Sequence, residues 1–154
     1  MVQLTCQASA DHAQRADVSR YCPLANRCIL VVEDEYLIAL ELKRWLRAAG
    51  GEVLGPVPSV DQALDLIEGC RPDAAVLDVN LGAGDNVYPV AGKLGVLRVP
   101  YLFSTGDMKL ADTSAYRHRP RLEKPFREAE LVRAVVKLVA PPQHTSLAAH
   151  WRAS

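Results

Sequence analysis

Ala74-Ala75-Val76-Leu77-Asp78-Val79-Asn80-Leu81-Gly82 is the stretch on which the fold turns. Its unbroken apolar start suits a strand covered on both faces. It ends in a carboxylate and a loop carrying Gly82 and Gly84. A charged group at that point is set for chemistry, not packing. Three other segments follow the same plan. Glu33-Asp34 follows Ile29-Leu30-Val31-Val32, Ser104-Thr105 follows Tyr101-Leu102-Phe103, and Lys124-Pro125 follows Leu122.

Helical patterns fill the intervals. Residues 35–49 put Ile38, Leu42, Trp45 and Leu46 on one stripe, and Gly50-Gly51 ends it. A short strand over 52–54 is closed by Gly55-Pro56. Ser59 can cap the next helix, whose buried stripe is Val60, Ala63, Leu64 and Ile67. A third strand is expected over 73–77, a weaker helix over 87–94 and a fourth strand over 100–104. A poorly patterned stretch over 106–119 precedes a very short fifth strand over 121–123, and a last helix covers 128–140. Strands alternating with helices imply α/β, a doubly wound five-stranded parallel sheet with helices on both faces. In such sheets the binding crevice lies beyond the carboxyl ends of the strands, where the strand order reverses. All four motif segments end there.

The flanks differ. Residues 1–27 are mixed and polar and read as a flexible arm. Residues 141–154 open with Pro141-Pro142, which stops a helix, and read as a loose tail. The domain is therefore expected over 28–140.

Bulk composition excludes several classes. The chain has 154 residues, 49% apolar and 23% charged, enough for one domain with a real core. Lys+Arg and Asp+Glu are 18 each, so no global field draws nucleic acid or an anionic membrane. No apolar run approaches the ~20 residues that span a bilayer. With no basic-then-apolar start, a cytoplasmic location is expected. Cys6, Cys22, Cys28 and Cys70 lack zinc-ligand spacing and read as reduced thiols, with a Cys22–Cys28 disulfide as the other reading. The four histidines are scattered and given no role.

The strand-end residues suggest a chemistry. Glu33, Asp34 and Asp78 in one crevice would repel one another, and a divalent cation would relieve that repulsion. Oxygen ligands suit Mg²⁺, with Asp34 and Asp78 as direct ligands, Glu33 through water and the Asn80 carbonyl completing the set. Asp78 could also act as nucleophile toward a phosphoryl group, forming an acyl phosphate. Mg²⁺ and Lys124 would neutralise the transferring oxygens, and Thr105 could hydrogen-bond one of them. The bland readings are solvated loop acids and an exposed surface lysine. Four such groups at matching strand ends weigh against both.

Ile29-Leu-Val-Val-Glu-Asp-Glu35, Val76-Leu-Asp78, Ser104-Thr105-Gly106 and Lys124-Pro-Phe126 together resemble the receiver domain of bacterial two-component response regulators. The resemblance covers residues 28–140. It implies a flavodoxin-like fold of strand order 2-1-3-4-5 and a phosphoacceptor role for Asp78. It also implies Glu33 and Asp34 as the acidic pair, Thr105 as the switch hydroxyl and Lys124 as the active-site lysine. Phe103-Ser-Thr-Gly106 is similar to the FATGUY-type receivers, often stand-alone proteins in alphaproteobacteria, although Asp107 and Met108 follow the glycine here. The family's aromatic switch residue, three positions before the lysine, is replaced by Arg121. The fourth helix is expected to be short or irregular.

A single-domain response regulator would take phosphate from a histidine kinase or phosphotransfer protein. It would signal through an unknown downstream protein or serve as a phosphate sink, as a monomer or weak dimer. Output could use Arg121 and the second apolar stripe of the last helix, Val132, Val136 and Val139. Asn80 and Asp107, two positions after Asp78 and Thr105, would tune water access and give a phosphoryl lifetime of minutes. Apart from self-phosphorylation and self-dephosphorylation, no enzyme activity is expected. One alternative is a pseudo-receiver that binds partners without phosphate, which Arg121 and Gly106-Asp107 keep open. Another is an Asp-nucleophile phosphatase of the haloacid-dehalogenase type. That family wants an acid two residues after the nucleophile, where Asn80 stands.

Overall fold

The computed structural model describes residues 21–106 and 115–141. The chain runs β1 (Cys28–Val32), α1 (Tyr36–Ala48), β2 (Glu52–Val57), α2 (Val60–Gly69), β3 (Ala74–Asp78), a small antiparallel pair β4 (Asn80–Leu81) and β5 (Asp85–Asn86), α3 (Tyr88–Val96), β6 (Tyr101–Thr105), β7 (Arg121–Glu123) and α4 (Glu128–Val139). Five strands form one parallel sheet in the order β2-β1-β3-β6-β7. Counted within that sheet alone, the order is the expected 2-1-3-4-5, a flavodoxin-like fold.

Alternation along β1 explains the two layers. Ile29 and Val31 join the core under α1 and α4 with Leu42, Leu46, Leu131 and Val135. Leu30 and Val32 join the core under α2 and α3 with Ala63, Ile67, Val90, Ala91 and Leu94. Because a strand turns successive side chains to opposite faces, an all-apolar strand must be covered twice. The chain leaves β1 toward β2 on one side and returns to β3 on the other. The crevice between β1 and β3 is therefore the switch point.

The Ser59 cap acts as read. Ser59 Oγ accepts the Gln62 N–H at 3.4 Å and starts α2. Glu130 Oε2 accepts the Arg127 N–H at 2.7 Å and secures the start of α4. Three features differ from expectation. The second strand does not close at Gly55-Pro56 but continues to Val57. Gly55, at φ +91°, lets it pass so close that a Cβ there would lie 2.9 Å from the Val31 carbonyl oxygen. Residues 21–27, counted with the arm, include a turn in which Leu24 is wholly buried. Its N–H donates to the Ala49 carbonyl at 3.0 Å, and Glu52 N–H donates to Arg27 O at 2.8 Å. The glycine loop after Asp78 holds the β4–β5 pair, which periodicity over two-residue strands cannot reveal.

The expectation of a short or irregular helix between the fourth and fifth strands of the sheet falls largely on residues 107–114, outside the described residues, as does Asp107. Residues 115–118 form a turn before β7. Among the described residues, Cys22, Cys28 and Cys70 are free thiols, so no Cys22–Cys28 disulfide forms. Burial, with Cys70 alongside, pushes the Cys28 thiol up to about 11. No described helix is long and apolar enough to cross a membrane.

Candidate functional site

Register brings the motif ends together. Val32 pairs with Leu77, Asp78 with Ser104 and Thr105 with Glu123. The strand ends are thus level, and the next residues, Glu33 and Lys124, meet over Asp78. Lys124 Nζ donates to Glu33 Oε2 at 2.8 Å and to Asp78 Oδ2 at 3.1 Å. Glu33 is 2% exposed and Asp78 7%. Such burial of acids demands partners. Asp34 is exposed. One carboxylate oxygen from each of Glu33, Asp34 and Asp78 lies within 4.8 Å of the others.

Backbone N–H groups fix the acids. Glu33 Oε1 accepts the Glu35 N–H at 3.1 Å, and Asp78 Oδ1 accepts the Asn80 N–H at 3.3 Å. Asp34 Oδ2 accepts the Gly82 N–H at 2.9 Å. That last bond ties the β4–β5 turn to the acids. A Cβ on Gly82 would stand 3.0 Å from the same oxygen, so glycine permits the approach. No sequence signal separates Gly82 from an ordinary loop glycine.

Burial sets the electrostatics. Desolvation pushes the Glu33 carboxyl up to about 7; Asp78 adds to the rise while Lys124 opposes it. Burial works against charge on Lys124. Its hydrogen bond to Glu33 and the pull of Glu33 and Asp78 outweigh that, and its pKa stands above the ordinary lysine value. The lysine is therefore a fixed cation, held between two buried acids. An all-oxygen trio with one exposed member could hold a hard divalent cation.

Thr105 is wholly buried, and its carbonyl accepts the Lys124 N–H at 2.8 Å. Ser104 beside it is also wholly buried, its Oγ without a hydrogen-bond partner among the described residues. Arg121 is half-buried, opposite Phe103, and its Nη2 donates to the Tyr116 carbonyl at 3.2 Å. Val132, Val136 and Val139 are half-buried and pack against the core under α1 and α4. That packing accounts for much of their apolar character without a partner.

No protein-family model matches the sequence. The solution structure of SdrG from Sphingomonas melonis Fr1 is 38% identical, with a TM-score of 0.66; the match covers 77% of this chain and 98% of that one. A second structure, the BeF3-activated conformation of SdrG, is 39% identical at a TM-score of 0.65 and covers 75% and 98%. The PhyR response regulator REC domain of Erythrobacter litoralis is 26% identical at a TM-score of 0.65, covering 76% and 95%. Over 116 residues the chain is 29% identical to the transcriptional regulatory protein PdtaR of Mycobacterium tuberculosis, 71% of this chain but 55% of that protein. It thus spans about half the length of that relative. Sheet order, acid trio and these likenesses agree: the chain belongs to the receiver domains of two-component response regulators.

Proposed function

We propose that Asp78 is the phosphoacceptor of a two-component relay. A carboxylate oxygen of Asp78 would attack the phosphorus of a phosphohistidine on a kinase or phosphotransfer protein. The P–N bond breaks, histidine leaves with the electron pair, and an aspartyl phosphate forms. The observation that carries this reading is the Asp78 carboxylate, 7% exposed, with Lys124 Nζ at 3.1 Å and two further acids beside it.

Asp34 and Asp78 would hold Mg²⁺ directly, with Glu33 behind them and the Asn80 carbonyl completing the protein's share. Bound there, the ion supplies positive charge against the transferring oxygens. Lys124 would add a second positive charge and steady the acyl phosphate oxygens. Thr105, at the end of the neighbouring strand, would donate its hydroxyl to a phosphoryl oxygen. The likeness to a BeF3-activated receiver supports this assignment, since BeF3 stands in for a phosphoryl group on a carboxylate. Asn80 beside the acceptor would admit water and limit the phosphoryl lifetime to minutes. The output would be contact with another cytoplasmic protein, or removal of phosphate from the relay as a sink.

The test is incubation with labelled acetyl phosphate and Mg²⁺. One acid-stable, base-labile label per chain is expected, absent in Asp78→Asn and in EDTA. A label that survives Asp78→Asn, or no label at all, overturns the proposal.

A further inference from the structure

Arg121 is the feature that phosphoryl chemistry leaves unused. It lies opposite Phe103 in the β6–β7 register and holds the Tyr116 carbonyl at 3.2 Å. The Tyr116 ring stacks on Tyr88, centroids 4.9 Å apart and planes 8° from parallel. Both rings stand edge-on to Phe103, at 5.7 Å for Tyr116 and 6.1 Å for Tyr88. Phe103 is wholly buried and shares its strand face with Thr105, two residues on.

The stack is joined to the acids from two sides. Tyr88 opens α3, and its N–H donates to Asn86 Oδ1 at 3.2 Å at the end of the β4–β5 pair. That pair starts at Asn80, whose N–H holds Asp78, and Tyr88, Asn80 and Val79 line one hollow. Tyr116 is joined through Arg121, three residues before Lys124 in the same segment. Contacts thus run from Asp78 to Tyr88 through the hairpin, and from Thr105 and Lys124 to Tyr116 through β6 and β7.

The two rings are also the less buried part of the cluster. Phe103 is fixed by strand pairing on both sides. Tyr88 and Tyr116 are only half-buried. A stacked pair adds modest energy beyond its buried area, on the scale of a hydrogen bond to a phosphoryl oxygen. A site event can thus bias it.

We propose that the Tyr88–Tyr116 stack, gripped by Arg121, reports the state of Asp78 at the protein surface. Arg121, Tyr88 and Tyr116 are positioning residues in this scheme. It rests on the phosphoacceptor reading above and adds the element that reads it out.

The experiment uses the full chain with 3-fluorotyrosine and ¹⁹F NMR, the five tyrosines assigned by single Tyr→Phe variants. Spectra are taken with Mg²⁺ alone and with Mg²⁺ plus BeF3, and Asp78 labelling by acetyl phosphate is measured in parallel. The Tyr88 and Tyr116 resonances should shift together as the adduct saturates, and exposed Tyr21 should stay in place. Arg121→Ala should lose the Tyr116 shift while labelling stays within about twofold of the parent. Tyr116→Phe should keep the Tyr88 shift and Tyr116→Leu should lose it. If Asp78 is labelled but neither resonance moves, or only one does, the stack is packing and the inference fails. If the parent chain takes no label and BeF3 changes no resonance, the phosphoacceptor reading fails and takes the inference with it.

Discussion

Lys124→Ala tests whether the lysine and the three acids form one electrostatic unit. Nζ sits 2.8 Å from Glu33 Oε2 and 3.1 Å from Asp78 Oδ2, with only 18% of the lysine side chain exposed. At an effective dielectric of about 20, each contact is worth roughly 5–6 kcal/mol of attraction before desolvation is charged against it. Removing one partner of a buried pair costs about 3–5 kcal/mol, mostly because the other charge is stranded. Glu33 can shed part of that cost by taking a proton, since burial already holds its carboxyl near 7. In EDTA at pH 7.5 the variant should therefore lose about 3 kcal/mol, a fall in Tm of roughly 10 °C. Mg²⁺ should restore about half of that deficit, because a bound cation replaces the missing charge. Half of the deficit, about 1.5 kcal/mol, corresponds to roughly tenfold tighter Mg²⁺ binding by the variant. Urea titrations with Mg²⁺ and with EDTA give both numbers. Equal deficits in the two buffers would refute the reasoning, since Lys124 and the cation would then not share the same acids.

Three further outcomes are expected. Leu24→Ala should cost about 2–4 kcal/mol by denaturant titration, as for a wholly buried leucine, and a cost below about 0.5 would show that the 21–27 turn is not part of the domain. Gly55→Ala should cost at least 1–3 kcal/mol, from the φ of +91° and the 2.9 Å approach to Val31 O, whereas Gly84→Ala, with nothing within 4 Å of its Cβ, should pay only the roughly 1 kcal/mol of its positive φ. Glu33 gives the metal-free protein a pH dependence: its folded value of about 7 exceeds the ordinary 4.5, so the folded state binds more protons between those values. Its contribution to stability is thus most favourable below about pH 4.5 and is lost as pH rises through 7, by roughly 3 kcal/mol in all. Glu33→Gln should flatten that part of the profile, and an unchanged slope between pH 5 and 8 in EDTA would count against a desolvated Glu33.

Much of the site was legible because strand ends carry chemistry in a form that a one-dimensional pattern preserves. Glu33, Asp78 and Ser104-Thr105 each follow an apolar run, and a doubly wound sheet must bring such ends to one edge, while Lys124 follows only the short Arg121-Leu122-Glu123 strand. What the pattern could not carry was pairing over long separations. The Gly82 N–H on Asp34 Oδ2 spans 48 residues and depends on a hairpin of two-residue strands. The hold of Arg121 on Tyr116 is a backbone contact with no residue signature. Leu24 gave no signal because one leucine in a polar stretch has no period; only the space beneath the end of α1 decides that it is core.

By itself, then, the sequence determined the doubly wound sheet and the set of charged groups at its carboxyl edge, since these follow from periodicity and from the need to cover apolar strands on both faces, while the strand order came from the resemblance of its motifs to the receiver family. Only the tertiary structure decided which oxygen Lys124 holds, how far Glu33 is desolvated, and where the tyrosines meet. Those depend on distances of a few ångströms between segments far apart in the chain, and Coulomb and desolvation energies change steeply over that range.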